Sequence, residues 1–321
     1  MGESTNTMAG LLALNDRNLS PAEASDILNQ APVIRAIFAQ AASQGGTTHK
    51  FQRDLTEPGV GFRDINEGIT NDPGTFEVVT LTLNLLDASF SRDKAVALGY
   101  KAGATAYMDK EGMKSLRAAF FKAECAMFRS NINKQFTGLP GNAFFDQITA
   151  DAQVVNAGGS GGKSVWLLRS SEDGVSMVCG NDGRMDMATE DATVVLKDSL
   201  SRDYTGLHRS IMGWFELQVG SKYDGVRIVN LDGTSSHTLT DAMIAQAVVK
   251  AKVGMPYNMC VMSRTSLYEL WASRTATNPT GKEAPFPSEV FGIPIIVTDA
   301  LPENESAINT TTTTTTTSSQ A

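Results

Sequence analysis

The chain has 321 residues, 41% of them hydrophobic, which is ample for one large or two modest cores and excludes global disorder. Its 35 acidic against 27 basic residues give a formal charge of −8, the wrong sign for a protein that holds nucleic acid by neutralising phosphates. Three widely spaced cysteines, Cys125, Cys179 and Cys260, lie among apolar neighbours and read as buried free thiols rather than a disulfide or metal site.

In chain order, the short apolar run Met8–Leu14 has no Lys or Arg before it, so no secretory signal is expected and the chain should stay in the cytosol. Nothing elsewhere approaches the roughly 18 apolar residues of a membrane span. Residues 1–45 read as a broken amphipathic arm: a helix starting near Ser20-Pro21, then Ile27, Leu28, Ile34 and Ile37-Phe38, interrupted by Pro32. Such an arm gains most by lying on something else.

From Thr47 to Phe90 the period becomes two. His49, Phe51, Arg53 and Leu55 alternate with Lys50, Gln52 and Asp54, and Val79, Leu81, Leu83 and Leu85 alternate with Thr80, Thr82 and Asn84. The connection Pro58–Gly68, with Asp72-Pro73-Gly74 after it, is turn-rich and too long for a tight hairpin. Two strands alone are marginal in water. The ribbon therefore either packs on its own domain or projects and is stabilised by another subunit.

Asp109 to Asn133 carries the strongest helical pattern. Met113, Leu116, Phe120, Ala123 and Met127 form one row, and Phe121, Cys125, Phe128 and Ile132 a second, with Lys114, Arg117, Lys122 and Arg129 among them. Gly138 and Pro140 bar any continuation of the helix beyond them. Short strands are expected at Val165–Leu168, Val175–Val178, Trp214–Val219 and Val226–Val229. A helix over Leu239–Lys252 is announced by Thr238 with Asp241 three residues on, and ends at Gly254. A strand at Met259–Met262, a helix over Thr265–Arg274 and a strand at Ile295–Val297 complete an α+β segment. The tail from Asn304, with eight consecutive Thr, should be flexible.

Three features could suggest an enzyme. The run Ala157-Gly158-Gly159-Ser160-Gly161-Gly162-Lys163-Ser164 resembles a phosphate-cradling loop, but Ala157 stands where the motif needs Gly. The strand-like Val165-Trp166-Leu167-Leu168 comes next, where a helix N-terminus is required, so the run reads as a flexible connector. His49, His208 and His237 are isolated and read as solvated or singly bonded. Glu190, Asp191, Asp198 and Asp203 accompany no nucleophile motif. The stretch Arg202-Asp203-Tyr204, then His208-Arg209, is too short and too neutralised for a basic groove. No catalytic, cofactor or metal residues are assigned.

The stretches Ala31–Ala36, Thr47–Phe51 and Pro58–Gly68, then Lys163–Arg169, Arg202–Tyr204 and the Trp214 strand, together resemble one family of tailed-bacteriophage major capsid proteins. That resemblance runs from about Leu11 to Pro302. It implies the Hong Kong 97-type capsid fold, an α+β shell subunit without enzymatic activity. Its parts would be an N-terminal arm (1–45), an extended two-stranded β-hairpin loop (46–92) and a peripheral domain with a spine helix (93–160). Remaining peripheral strands and an axial domain (161–303) and a Thr/Ser-rich tail (304–321) would complete it. The implied partners are further copies of the chain in pentamers and hexamers of an icosahedral head, portal and cement proteins, and packaged double-stranded DNA held weakly. The absence of a long charged N-terminal extension points to a separate scaffolding protein. Assembly is expected in the host cytoplasm, with the virion capsid as destination. At the loop tip Gly59, Gly61, Phe62, Arg63, Glu67 and Gly68 are the expected inter-subunit contacts, the glycines permitting its bends. An encapsulin-like bacterial compartment shares the fold and is the alternative.

Overall fold

The computed structural model describes residues 27–42, 46–56, 58–69, 73–129, 135–149, 152–183, 185–188, 190–234, 236–278 and 281–308. The expected helix near Ser20, the whole arm before Ile27 and the threonine run lie outside the described residues. In chain order the elements are α1 (Pro32–Ala36), β1 (Phe38–Ala41), β2 (Thr48–Thr56), β3 (Thr75–Thr82), β4 (Asn84–Asp87), β5 (Phe90–Asp93), α2 (Lys94–Leu98) and α3 (Ala104–Met127). After them come β6 (Val154–Asn156), β7 (Gly161–Leu168), β8 (Val175–Cys179), α4 (Gly180–Gly183), β9 (Asp186–Met187), β10 (Ala192–Lys197), β11 (Asp203–Arg209), β12 (Ile211–Val219) and β13 (Gly225–Leu231). The last are α5 (Asp241–Val249), β14 (Met259–Met262), α6 (Arg264–Ala276), β15 (Glu289–Val290), β16 (Ile293–Val297) and β17 (Glu305–Ser306). Among the described residues no helix is long and apolar enough to cross a membrane.

The chain divides into two compact units. The first holds the described chain up to Ala123 together with residues 135–136 and Ser171–Ser221. Its main sheet runs β1-β8-β12-β4, with β9 also on β12, and a second sheet runs β10-β11-β5; among the described residues β2 and β3 form a two-stranded sheet of their own. β8 is buried at every position, as a strand covered on both faces must be. Leu116, Phe120 and Ala123 of α3 are buried, so the first apolar row predicted from sequence faces the core, and Phe120 meets Phe215 of β12 edge-on at 6.3 Å. Here the helix starts five residues earlier than Asp109, just after Gly103, whose φ of 93 no helical residue adopts. At 24 residues it is about 36 Å long.

The second unit holds Glu124 onward to residue 129, then Thr137–Ser170, and Lys222 to the end of the described chain. Its sheet runs β15-β16-β14-β7-β13-β6, with β17 also on β7. Val165, Leu167, Val226, Ile228, Cys260 and Met262 from the central strands form a core with Ile244, Ala247, Leu267 and Leu270 from α5 and α6. The predicted strands and helices of this segment are all present. The cap of α5 is Thr240 rather than Thr238, its hydroxyl accepting from the Met243 amide, because the helix begins two residues later than the pattern suggested.

Two expectations need correcting. The glycine-rich run is no flexible connector: Gly161 and Gly162 open β7, pairing with Ser306 and Glu305 of β17. At φ 124 and 107 both lie outside the range of L side chains, and a Cβ on either would strike the carbonyl oxygen of Glu305 or Leu231. Correspondingly, the tail does not loosen at Asn304. Glu305 is held by Ser164 and Arg227, and Ile308 exchanges two hydrogen bonds with the Asn230 side chain while packing beside Ala152, Val154 and Val229.

Candidate functional site

The ribbon of β2 and β3 is the feature that its own unit serves least. Its register is antiparallel, with His49 opposite Leu81, Phe51 opposite Val79 and Arg53 opposite Glu77. Strand periodicity puts these six on one face and Lys50, Gln52, Val78 and Thr80 on the other. The single alternating run expected from Val79 to Leu85 is in fact two strands. Leu83 is buried at the break, its amide donating to the Thr47 carbonyl, and beyond it β4 joins the main sheet through β12.

At its root the ribbon is fastened by polar groups. Gln218 of β12 is buried, and its side-chain oxygen accepts from His49 Nε2 at 2.8 Å and from Gln40 Nε2 at 3.0 Å. Its amide donates to the Glu172 carbonyl, which leaves the oxygen to accept and assigns the His49 proton to Nε2. Burial holds the His49 imidazole below its usual pKa, and the Gln218 hydrogen bond opposes that only in part. Arg53 donates to the carbonyls of Val219 and Gly220 at 2.9 and 3.2 Å, its guanidinium also lying 5.7 Å from the centre of the Phe51 ring.

The tip has the opposite character. Phe62 is 108% exposed and Val60 and Ile65 are each 91% exposed, three large apolar side chains in water. Every described residue from Pro58 to Ile69 is exposed. Arg63 folds back to donate to the Glu67 carbonyl at 2.8 Å, and the Glu67 amide donates to the Asp64 carbonyl, so the tip keeps a shape of its own. Between them Asn66 takes φ 70, a left-handed conformation that Asn tolerates. Gly61 leaves room for the Ile69 side chain, Gly68 has open space around it, and Gly59 is exposed. Sequence reasoning chose Phe62, Arg63 and Glu67 but passed over Val60 and Ile65, whose apolar character inside a glycine-rich turn was the available signal. It also missed Gln218, whose partners lie 46 to 178 residues away.

The enzyme-like features are otherwise engaged. The Lys163 ammonium is held by Glu269 and its backbone is strand, so no amide cradle for phosphates forms. His208 Nδ1 bonds Ser91 Oγ at 2.9 Å, and His237 Nδ1 lies 3.2 Å from Asp232 and 3.0 Å from Thr234. The Asp232 carboxyl is held well below the usual carboxylate range, chiefly by hydrogen bonds from Thr234. Among the described residues no group of three His, Cys, Asp or Glu could hold a metal ion. All three cysteines are buried, and none is in a disulfide.

A two-stranded ribbon with an exposed tip, a long helix and an α/β unit on a mixed sheet give the chain the Hong Kong 97-type capsid fold, as the likeness to solved phage capsids shows. The cryo-EM structure of bacteriophage Epsilon15 matches with a TM-score of 0.61 at 18% identity, over 84% of this chain and 88% of that chain. The capsid of bacteriophage JBD30 matches with a TM-score of 0.53 at 9% identity, over 82% and 88%. The JBD30 capsid decorated with minor capsid protein trimers gives 0.51 at 12% identity, over 82% and 89%. Residues 16–309 match the family of major capsid protein GP7, and the chain belongs to that family. No curated protein matches the sequence.

Proposed function

We propose that this major capsid protein builds its shell by laying the ribbon tip across a neighbouring copy, using Gly59, Gly61, Phe62, Arg63, Glu67 and Gly68 together with Val60 and Ile65. The exposure of the tip beside a fastened root carries this reading. Burying Val60, Phe62 and Ile65 would each contribute roughly 1.5–3 kcal/mol before the costs of association. Repeated around rings, such contacts become cooperative.

On this reading the first unit with its ribbon is the peripheral domain and the second the axial domain. Pentamers and hexamers of the chain then form an icosahedral head around double-stranded DNA, in the host cytoplasm, with scaffolding and portal proteins as partners and a cement protein as a further one. The chain's role is structural and not catalytic. Its net charge of −8 suits a wall along which DNA slides, because a strongly basic lining would hold the duplex.

Deleting residues 57–68 tests the assignment. The expected product is a folded, soluble subunit that forms no closed shells by negative-stain microscopy; particles of normal size would refute it.

A further inference from the structure

The second unit contains a large aromatic residue in a left-handed backbone conformation that leaves most of its surface in water. β15 and β16 are joined by Phe291 and Gly292 alone, with Val290 paired to Ile293. Phe291 has φ 49 and Gly292 φ 76, the left-handed pair that a two-residue type I′ hairpin requires. Asn, Asp or Gly fill the first of these positions at little cost, whereas an aromatic residue there is an outlier. The residue stays 59% exposed, with Phe286 exposed nearby in sequence. A strained aromatic held out into water is unfavourable for the subunit alone, and such strain persists where a binding event uses it.

The same unit has a cleft of about 800 Å³. Its wall includes Thr238, Thr240, Tyr268, Ala272 and Ala276, which present methyl groups and one ring, with the Lys163–Glu269 pair beside them. Phe291 is not part of that wall. At the rim stands Arg264, its side chain 77% exposed and its partner Asp299 also solvated, an ion pair that contributes little. The Phe291 ring is accompanied into any socket by the exposed carboxylate of Glu289, two residues before it. Aromatic meets methyl-lined cleft, and carboxylate meets guanidinium.

We propose that Phe291 is an assembly anchor that enters this cleft on the second unit of the next copy of the chain. The inference rests on the shell-subunit reading above and adds a contact distinct from the ribbon's. A knob and a socket on different elements of one chain make a heterologous contact, the kind that closes into rings.

Phe291→Asn separates the two roles of this residue. Because Asn suits the turn, the purified subunit should unfold at an unchanged or higher denaturant concentration, while particle yield should fall about tenfold or more, as for loss of an aromatic anchor. A second variant locates the socket: Phe291→Cys combined with Ala276→Cys, treated with a short bifunctional maleimide, should give a ladder of covalently linked chains. The buried native cysteines keep the background low. Wild-type particle yield from Phe291→Asn, a lowered unfolding midpoint, or a cross-link absent or confined within single chains would overturn the proposal. Failure of the unaltered chain to form particles even when its scaffolding protein is co-expressed would instead count against the shell-subunit reading on which it rests.

Discussion

Arg227 offers the sharpest test of how the second unit is held. Its side chain is 6% exposed, and it donates to Glu305 at 2.9 Å, to Ser164 at 3.1 Å and to the Phe145 carbonyl at 3.2 Å, with the guanidinium 5.1 Å from the Trp166 ring centre. Glu305 is itself 13% exposed, so Arg227→Met leaves a carboxylate out of water that still accepts from Ser164 but has lost its cation. Removing one member of a buried pair costs about 3–5 kcal/mol, a large part of the roughly 5–15 kcal/mol that keeps a domain folded. Adding Glu305→Gln removes the stranded charge and should return about 2 kcal/mol or more. Urea unfolding monitored by tryptophan fluorescence gives the magnitude, and amide exchange at 161–164 and 305–308 gives its location. A loss below about 1 kcal/mol for Arg227→Met, or a double variant weaker than the single, would refute the reasoning.

The same kinds of contact set further expectations. His49 has a folded-state pKa below the unfolded value of about 6.5, so the unfolded chain binds the extra proton first. The stability it contributes is complete above that value and is lost as pH falls from there toward the folded pKa; His49→Gln should flatten this part of the stability profile. Burial pushes the Cys179 and Cys260 thiols up to about 12, so neither should react with a maleimide in the native subunit at about pH 8, and both should react in urea. Gly162→Ala adds a Cβ against the Leu231 carbonyl at φ 107, and should weaken β17 pairing by more than about 1 kcal/mol, seen as faster amide exchange at Ser306.

What was legible in the sequence were elements whose own residues carry the pattern. Met259–Met262 is a continuous apolar run and is a fully buried strand, and the Leu116, Phe120, Ala123 row faces the core of the first unit. The ribbon showed itself as two alternating runs around a long turn. The break at Leu83 did not, because alternation continues unbroken while the strand changes partner from β2 to β12. β10 and β11 were also missed: Ala192–Lys197 is exposed or half-buried throughout, and Asp203–Arg209 mixes charges and aromatics, so pairing with each other and with β5 defines them. Gln218 and Arg227 matter through partners far along the chain, which no local window contains.

The chain leaves the first unit after Ala123, touches it again briefly at residues 135–136 and returns at length only at Ser171, so the two bodies alternate along the sequence. As the ribosome delivers the protein, β1 waits for β8 and β4 for β12, by which time β6 and β7 have emerged without β13 to cover them. Neither body can be finished before the other is begun. The nascent polypeptide therefore carries uncovered strand edges through most of its synthesis, a stage at which slower translation or chaperone binding favours correct folding over aggregation.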